Sequence, residues 1–325
     1  MNSVRVGTSG WSYPTGRGTW NGLFYPERGT KGFRAADELS YYAEHFETVE
    51  VNSTFYRPPA ATTTARWATQ TPPGFEFSLK LHQQFTHAVP IGHNTPPPDE
   101  RRHGPWVPQP AAGAADEFKA GLEPIVRSRK LGALLVQFPP SFHQDRESLG
   151  YVARLLETFR DYPVAVELRH RSWSDGSADT MEVLDRFQAA WVQIDEPKFR
   201  LSIRQDLVPN IERFYYLRLH GRNAAQWWAP DAAEDRYNYL YSPEELRPFA
   251  DVVTTVGPEV KKAYVYLNNH FAAKAVVNAT VLRHQLGQPV TGEYRPEMLA
   301  TYSELRAIVP AQSRGLFGTR SNGRA

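Results

Sequence analysis

The 325-residue chain contains no cysteine. That one absence excludes disulfides, thiolate nucleophiles, cysteine-ligated zinc and iron–sulfur clusters together. A run of about 18 apolar residues is also missing, so no membrane-spanning helix is expected. Residues Met1 to Arg5 carry no charged-then-apolar leader, and the expectation is a cytoplasmic protein with no membrane partner. An excess of either charge is lacking as well, with 37 Lys and Arg against 35 Asp and Glu. The net charge is +2 and the pI ≈ 8.7, short of the balance (pI above about 9) of a dedicated nucleic-acid-binding domain, although local clustering can still make a basic patch. Phosphate-loop and dinucleotide-binding glycine motifs are absent, and Ser9 in GTSGW does not form a G-x-S-x-G nucleophile elbow. No internal repeat or heptad is visible.

What is present is a regular spacing. Eight short apolar segments end in polar or charged residues and are separated by stretches long enough for helices: Val4–Thr8, Thr48–Thr54, Phe75–Lys80, Leu134–Phe138, Val164–Arg169, Trp191–Asp195, Phe214–His220 and Ala263–His270. This predicts an α/β fold of the TIM-type (β/α)8 class with its site at the C-terminal rim of the strands. Side chains alternate across a strand, and outer helices need an apolar partner, so the polar parity is expected to face the barrel interior. That parity collects Glu50, Asn52, Ser78, Lys80, Gln137, Glu167, Arg169, Gln193, Asp195, Arg218, His220, Asn268 and His270.

Domain organisation follows from length, since a barrel takes roughly 250 residues. A single domain over 1–312 is expected, with a Pro-rich insertion after the third strand at 83–112, carrying His93, His103 and Trp106, and a disordered tail at 313–325. The insertion follows a strand, so it is a candidate lid over the rim.

Nine phrases carry a resemblance: VGTSGWSYP (Val6–Pro14), FYPE (Phe24–Glu27), YYAEHFETVEVNSTFYRPP (Tyr41–Pro59), TPPGFEFSLK (Thr71–Lys80), FTH (Phe85–His87), LGALLVQFPPSF (Leu131–Phe142), VELRHRSW (Val166–Trp173), RLHGR (Arg218–Arg222) and YLNNHFAAKAVVNA (Tyr266–Ala279). The chain resembles the DUF72 family, some members of which are called YecE-like. The resemblance implies a TIM-type barrel and no particular activity. Two stretches depart from the pattern, Thr15–Asn21 and the Pro-rich insertion, and both touch the expected rim.

The chemistry offered by the polar parity is mixed. Glu167 and Asp195 are candidate base and acid, with His220 and His270 as further catalytic candidates. Trp11, Glu50, Asn52, Lys80, Gln137, Arg169, Arg218, Asn268 and Asn269 are candidate substrate-binding residues. Lys80, Arg169 and Arg218 balance Glu50, Glu167 and Asp195 in sign, so a closed ion-pair network is as plausible a reading as a site. His170, His220 and His270 each follow a strand end and are expected near one rim. A divalent metal is an open alternative, but the neighbouring cations and the lack of tight ligand spacing weigh against it. Asn268 and Asn269 precede a helix expected from Phe271 to Leu286, whose N-terminus would offer N–H groups to an anion. Arg222 and Lys274 could add charge there. Trp11, Tyr13, Tyr56, Trp173, Trp227 and Trp228 follow strand ends and offer flat faces to rings. A retaining glycosidase on this fold would carry carboxylates after strands four and seven, where Gln137 and His220 stand instead. The function expected is acid–base hydrolysis or lyase chemistry on an anionic small molecule, with phosphate-bearing ones among the candidates. The alternatives are a nucleic-acid-binding or processing barrel, by fold analogy with endonuclease IV, and a non-catalytic binding module.

Overall fold

Val, Leu, Phe and Tyr dominate the strand segments, and such residues pack well on a pleated, half-buried surface. The computed structural model describes residues 3–88, 107–206, 208–227 and 235–309. The expected disordered tail, Trp228 and the centre of the insertion, including His93, His103 and Trp106, lie outside the described residues. The strands are β1 (Ser3–Ser9), β2 (Thr48–Val51), β3 (Glu76–Lys80), β4 (Leu131–Gln137), β5 (Val164–Glu167), β6 (Ala190–Trp191), β7 (Gln193–Asp195), β8 (Tyr215–Leu219) and β9 (Lys262–Leu267). All pairings are parallel, in the order β6-β5-β4-β3-β2-β1-β9-β8-β7.

The two ends of that order, β6 and β7, are separated in the chain only by Val192. They are halves of one barrel position: the first half bonds to β5 and the second to β8, so the ring closes through the backbone. The result is a TIM-type (β/α) barrel. Its ladder stops at Val51, Glu167, Leu219 and Leu267, earlier than the apolar pattern suggested. Asn52, Arg169, His220, Asn268 and His270 therefore stand just beyond the strands, on the rim.

Register decides which side chains enter the barrel. Residues paired across parallel strands share a face, and the pairs Ser9↔Glu50, Glu50↔Ser78, Gln137↔Glu167 and Arg218↔Tyr266 define the inner one. In β7 the pairing is Ile194↔Arg218 and Asp195↔Leu219. The expectation that Gln193 and Asp195 point inward is thus corrected: Ile194 points inward, and the two polar side chains share the outer face with Leu217 and Leu219. An outward carboxylate is tolerated there because Asp195 accepts from Arg222 Nε at 2.8 Å and from the Tyr241 hydroxyl at 2.7 Å.

Polar layers fill the interior, where a barrel ordinarily stacks branched apolar side chains. At the bottom Glu76 accepts from Lys262 Nζ at 2.7 Å and Tyr264 OH at 2.6 Å, with Arg5 Nε at 3.2 Å. Above it the Tyr266 hydroxyl lies 2.6 Å from Thr48 Oγ1 and 3.0 Å from Ser78 Oγ. The top layer is the Arg218 network described below. Outside lie the helices α1 (Glu38–His45), α2 (Ala61–Gln70), α3 (Ala114–Arg127), α4 (Arg146–Thr158), α5 (Ser172–Asp175), α6 (Ser177–Arg186), α7 (Pro243–Val256), α8 (Lys274–Gln285) and α9 (Pro296–Thr301); α2 packs on α3, which buries Phe118, Leu122 and Ile125. Helix α7 (Pro243–Val256) opens on a capping box between Ser242 and Glu245 and buries Leu246, Phe249, Ala250 and Val253. Helix α8 (Lys274–Gln285) is buried almost all round. No helix among the described residues is long and apolar enough to cross a membrane.

Gly121 shows how closely the outer layer is packed. A Cβ there would meet the Pro59 carbonyl oxygen at 1.9 Å. Gly→Ala inside an exposed helix ordinarily stabilises by about 0.5–1 kcal/mol. For Gly121→Ala the sign should invert, with a loss of about 1–3 kcal/mol from overpacking, read as a lower urea midpoint at unchanged slope.

Candidate active site

The top layer is built around a guanidinium. Arg218 projects from β8 and is only 1% exposed. Its Nη2 donates to Glu50 Oε1 of β2 at 2.6 Å and its Nη1 to Glu167 Oε2 of β5 at 2.5 Å. The Tyr216 hydroxyl adds a bond to Glu50 Oε2 at 2.7 Å. Arg169 holds the other oxygen of Glu167, Nη2 to Oε1 at 2.7 Å, and extends Nη1 toward Glu196 Oε2 at 3.2 Å. Burial opposes ionisation of Glu167, but Arg218, Arg169 and His220 prevail and hold its carboxyl well below the usual range. His220, just past the end of β8, has Nε2 3.4 Å from Glu167 Oε1 and 3.2 Å from Arg169 Nη2, and its Nδ1 meets the Asn268 amide at 2.9 Å. Burial pushes its pKa down to about 3, so the imidazole is neutral.

Above the network lies a cavity of ≈ 870 Å³, within the range of small-molecule sites. Arg218, Arg169, Gln137, Asn268 and Lys80 form its floor side; Trp11, Tyr13, Arg17, Asn52, Phe55, Tyr56, His87, Arg236, Tyr237 and His270 form its walls. Arg17 and Gly18 belong to the loop after β1, whose Gly18 adopts a positive φ and lies so close to Phe271 that a Cβ would meet the ring at 2.7 Å. Tyr56 is 65% exposed at the lip. At the wall, Ser9 Oγ and Asn52 Oδ1 are buried without a hydrogen-bond partner among the described residues.

Lys80 is the unusual group. It ends β3 on the inward parity, and its Nζ lies 3.9 Å from the Phe55 ring centroid. Neither a hydrogen bond nor an ion pair is formed by this ammonium among the described residues. Burial first, then the Arg218 and Arg169 charges, lower its pKa to about 7, against the pull of Glu167 and Glu50. The Phe55 face, worth about 0.5–2 kcal/mol to a cation, offsets part of this. The reason is visible in the network: Glu50 and Glu167 are already balanced by Arg218 and Arg169, so a third cation meets no spare anion.

Most of the expected residues converge. Glu50, Lys80, Gln137, Glu167, Arg169, Arg218, His220 and Asn268 form the network and the cavity floor, and Trp11, Asn52 and His270 line the walls. His270 stacks on Tyr13 at 4.5 Å between ring centroids, and burial lowers its pKa to about 4. Two candidates are elsewhere. Asp195 lies on the outer face, bound to Arg222 and Tyr241, and Asn269 turns away from the cavity to bond Tyr239 O at 2.8 Å and Asn278 Oδ1 at 2.7 Å. Arg222 and Lys274, spent on Asp195 and Asn238, supply no rim charge.

The three histidines do not gather. His170 stacks on His143 at 3.7 Å and lines a smaller neighbouring cavity, whereas His270 lines the larger one and His220 lines neither. Among the described residues no group of three or more His, Asp and Glu side chains is placed to hold a metal ion. The expected helix from Phe271 also starts late: Ala272 and Ala273 have positive φ, α8 begins at Lys274, and the cavity wall stops at His270, with Ala272 N bonded to Gly18 O. The helix terminus therefore does not face the cavity. Trp173 is a core residue whose indole donates to Phe142 O at 2.7 Å, and Trp227 lines a smaller neighbouring cavity with His143, His170 and Glu196.

Several participants escaped the sequence. Glu196 faces Arg169, and burial raises its pKa; inverting the parity of VQIDE would have pointed it inward. Arg17, Arg236, Tyr237 and His87 come from loops without periodicity. Burial, with Lys80 and Arg169 nearby, lowers the pKa of His87 to about 4.

Two outcomes follow from this geometry. Arg218→Ala strands Glu50 and Glu167 as buried, unpaired carboxylates and should cost about 3–5 kcal/mol; a denaturation midpoint equal to wild type would show that the network is not under tension. The lysine gives a pH dependence. Between about pH 7 and 10 the unfolded chain keeps a proton on Lys80 that the folded chain has released, so stability should rise with pH, by up to about 1.4 kcal/mol per unit. Lys80→Met should remove that contribution to the slope in chemical denaturation at a series of pH values.

Comparison with known proteins places the fold. The family model described as "Protein of unknown function DUF72" matches residues 5–300. The UPF0759 protein YunF of Bacillus subtilis is 27% identical over 286 residues, covering 85% of this chain and 92% of that protein. A crystal structure of a DUF72 family protein from Thermotoga maritima superposes with a TM-score of 0.72 at 30% identity, covering 88% of this chain and 100% of that one. A second, from Enterococcus faecalis, gives 0.71 at 25% identity, covering 90% and 99%. The chain belongs to the DUF72 family.

Proposed function

We propose that this protein is a cytosolic enzyme that binds an anionic, phosphate- or carboxylate-bearing small molecule in the rim cavity and acts on it by acid–base chemistry, as a hydrolase or lyase. The observation that carries this reading is the cavity wall: Lys80, Arg17, Arg169, Arg218 and Arg236 line it and, among the described residues, no Asp or Glu does; Arg17, Arg169 and Arg218 are each paired with a carboxylate behind the wall, Arg17 with Asp235 at 2.7 Å, so Lys80 and Arg236 are the cations left to a ligand. Such a wall favours anions by charge-assisted hydrogen bonds. Glu167 is a poor base in this reading, because two guanidiniums hold its charge, and Asp195 is out of reach. Their joint role as base and acid is replaced. Lys80, with a pKa near neutrality, suits proton transfer at physiological pH, while Glu50 and Glu167 fix the cations that orient the substrate. Arg236, whose Nε has no hydrogen-bond partner among the described residues, is free to meet the anionic group.

Thermal unfolding in increasing phosphate tests the reading. Phosphate should raise the melting temperature by mass action, by the equivalent of about 2.7 kcal/mol at one hundred times its dissociation constant. Arg236→Gln should weaken that response several-fold. Asn269→Ala should lower the melting temperature but keep the response, since Asn269 ties strand to helix behind the cavity. A wild type indifferent to phosphate, sulfate and citrate sinks the proposal, and salt-steep binding of a single-stranded oligonucleotide would favour the nucleic-acid alternative.

A further inference from the structure

We infer that Lys80 is a covalent nucleophile, whose amine condenses with an aldehyde or ketone carbonyl of the anionic substrate to form an imine inside the rim cavity. The inference rests on the proposed anion-binding role of this cavity and narrows it from hydrolase or lyase to imine-forming lyase chemistry. Its basis is placement. Lys80 stands at the end of β3 with its Nζ over the Phe55 ring, opens into a cavity of ≈ 870 Å³ and has no hydrogen-bond or ion-pair partner among the described residues.

A structural lysine in a barrel interior would be expected to hold a carboxylate, as Lys262 holds Glu76 at 2.7 Å in the bottom layer of this same barrel. Lys80 has Glu50 and Glu167 in the layer beneath it, yet both are taken by arginines. The groups facing it are otherwise Arg218, Arg169, the Phe55 ring and a neutral His87. Burial and the two guanidiniums favour the uncharged amine against the pull of the Phe55 face, Glu167 and Glu50, so that its pKa falls to about 7, and an uncharged amine beside other cations attacks carbonyl carbon.

The step balances without a further co-reactant. The Nζ lone pair forms a bond to the carbonyl carbon while the carbonyl π pair moves to oxygen. That oxygen takes a proton, and the nitrogen loses one, giving a neutral carbinolamine. A second proton, drawn from solvent water, then lets the hydroxyl leave as water as the nitrogen lone pair forms the C=N bond, and the resulting protonated imine drains electrons from the adjacent carbon. Two neighbours fit the oxygen. The Gln137 side chain accepts from Arg218 through Oε1 at 3.4 Å and keeps its NH2 for the cavity, and Asn268 lines the same floor. The anionic group of the substrate is then left for Arg236 on the wall, since Arg17 is paired with Asp235 at 2.7 Å.

Two measurements on the full chain test this. In competitive acetylation with limiting acetic anhydride across a pH series, read by peptide mass spectrometry, Lys80 should label on the order of tenfold or more faster than the surface lysines at pH 7, with a half-maximum near neutrality. Borohydride reduction in the presence of dihydroxyacetone phosphate or pyruvate should leave a covalent adduct on the Lys80 peptide, suppressed by excess inorganic phosphate and lost in Lys80→Met. Lys80 labelling in step with surface lysines, or no Lys80 adduct with either carbonyl probe, overturns the inference. If phosphate still stabilises the wild type in that case, the anion-binding reading survives alone; if phosphate has no effect while the adduct forms, Lys80 is nucleophilic and the anion site is misplaced.

Discussion

The Arg218 guanidinium, held between Glu50 and Glu167, is the interaction on which the upper barrel depends. Three strands on different sides of the ring, β2, β5 and β8, each contribute one member, so the contact spans the interior and fixes their mutual height. Replacing such a buried ion pair by apolar residues is often neutral in stability, whereas deleting one partner is not. Its presence in a barrel that could have been filled with branched side chains therefore says less about stability than about what the pair does to its neighbours. It makes the two interior carboxylates unavailable and delivers Arg169 and Arg218 to the cavity floor in fixed orientations.

That arrangement explains the electrostatics of the rim. The terminal nitrogens of Arg218 and Arg169 bind the carboxylates, while Arg218 Nε is buried without a hydrogen-bond partner among the described residues, and no carboxylate lines the cavity itself. Around this floor the ionisable side chains are held near neutrality by burial: His220 and His270 as free imidazoles and Lys80 with much reduced basicity. Charge is thus concentrated in groups that cannot exchange protons near pH 7, while the amine of Lys80 can.

Much of this was legible in the chain because period-two alternation is a local signal. VAVELR and YYLRLH separate apolar from polar positions cleanly, and Glu50, Glu167 and Arg218 met as their parities required. The same rule failed for VQIDE, where both faces carry polar residues and alternation alone does not say which is inside. Asp195 was settled by partners distant in sequence, Arg222 and Tyr241, and Glu196 took the inward position instead. Histidines after strand ends were legible as rim residues but not as a cluster, because each ring direction depends on a loop. The wall residues Arg17, Arg236 and Tyr237 follow no period, and only loop geometry brings them to the cavity.

A chain that places a lysine beside a completed ion-pair network has two ways to keep it: supply another anion, or let the amine give up its proton. The bottom layer takes the first course, with Lys262 and Arg5 sharing Glu76 in company with Tyr264. The top layer takes the second, and it does so where the barrel opens. Of the two, only Lys80 lines the cavity. The division follows the general asymmetry of this fold, in which the N-terminal end of the strands serves stability and the C-terminal end serves chemistry. In this barrel the asymmetry is written in protonation state, with paired lysine below and unpaired lysine above a shared column of Glu, Tyr and Arg.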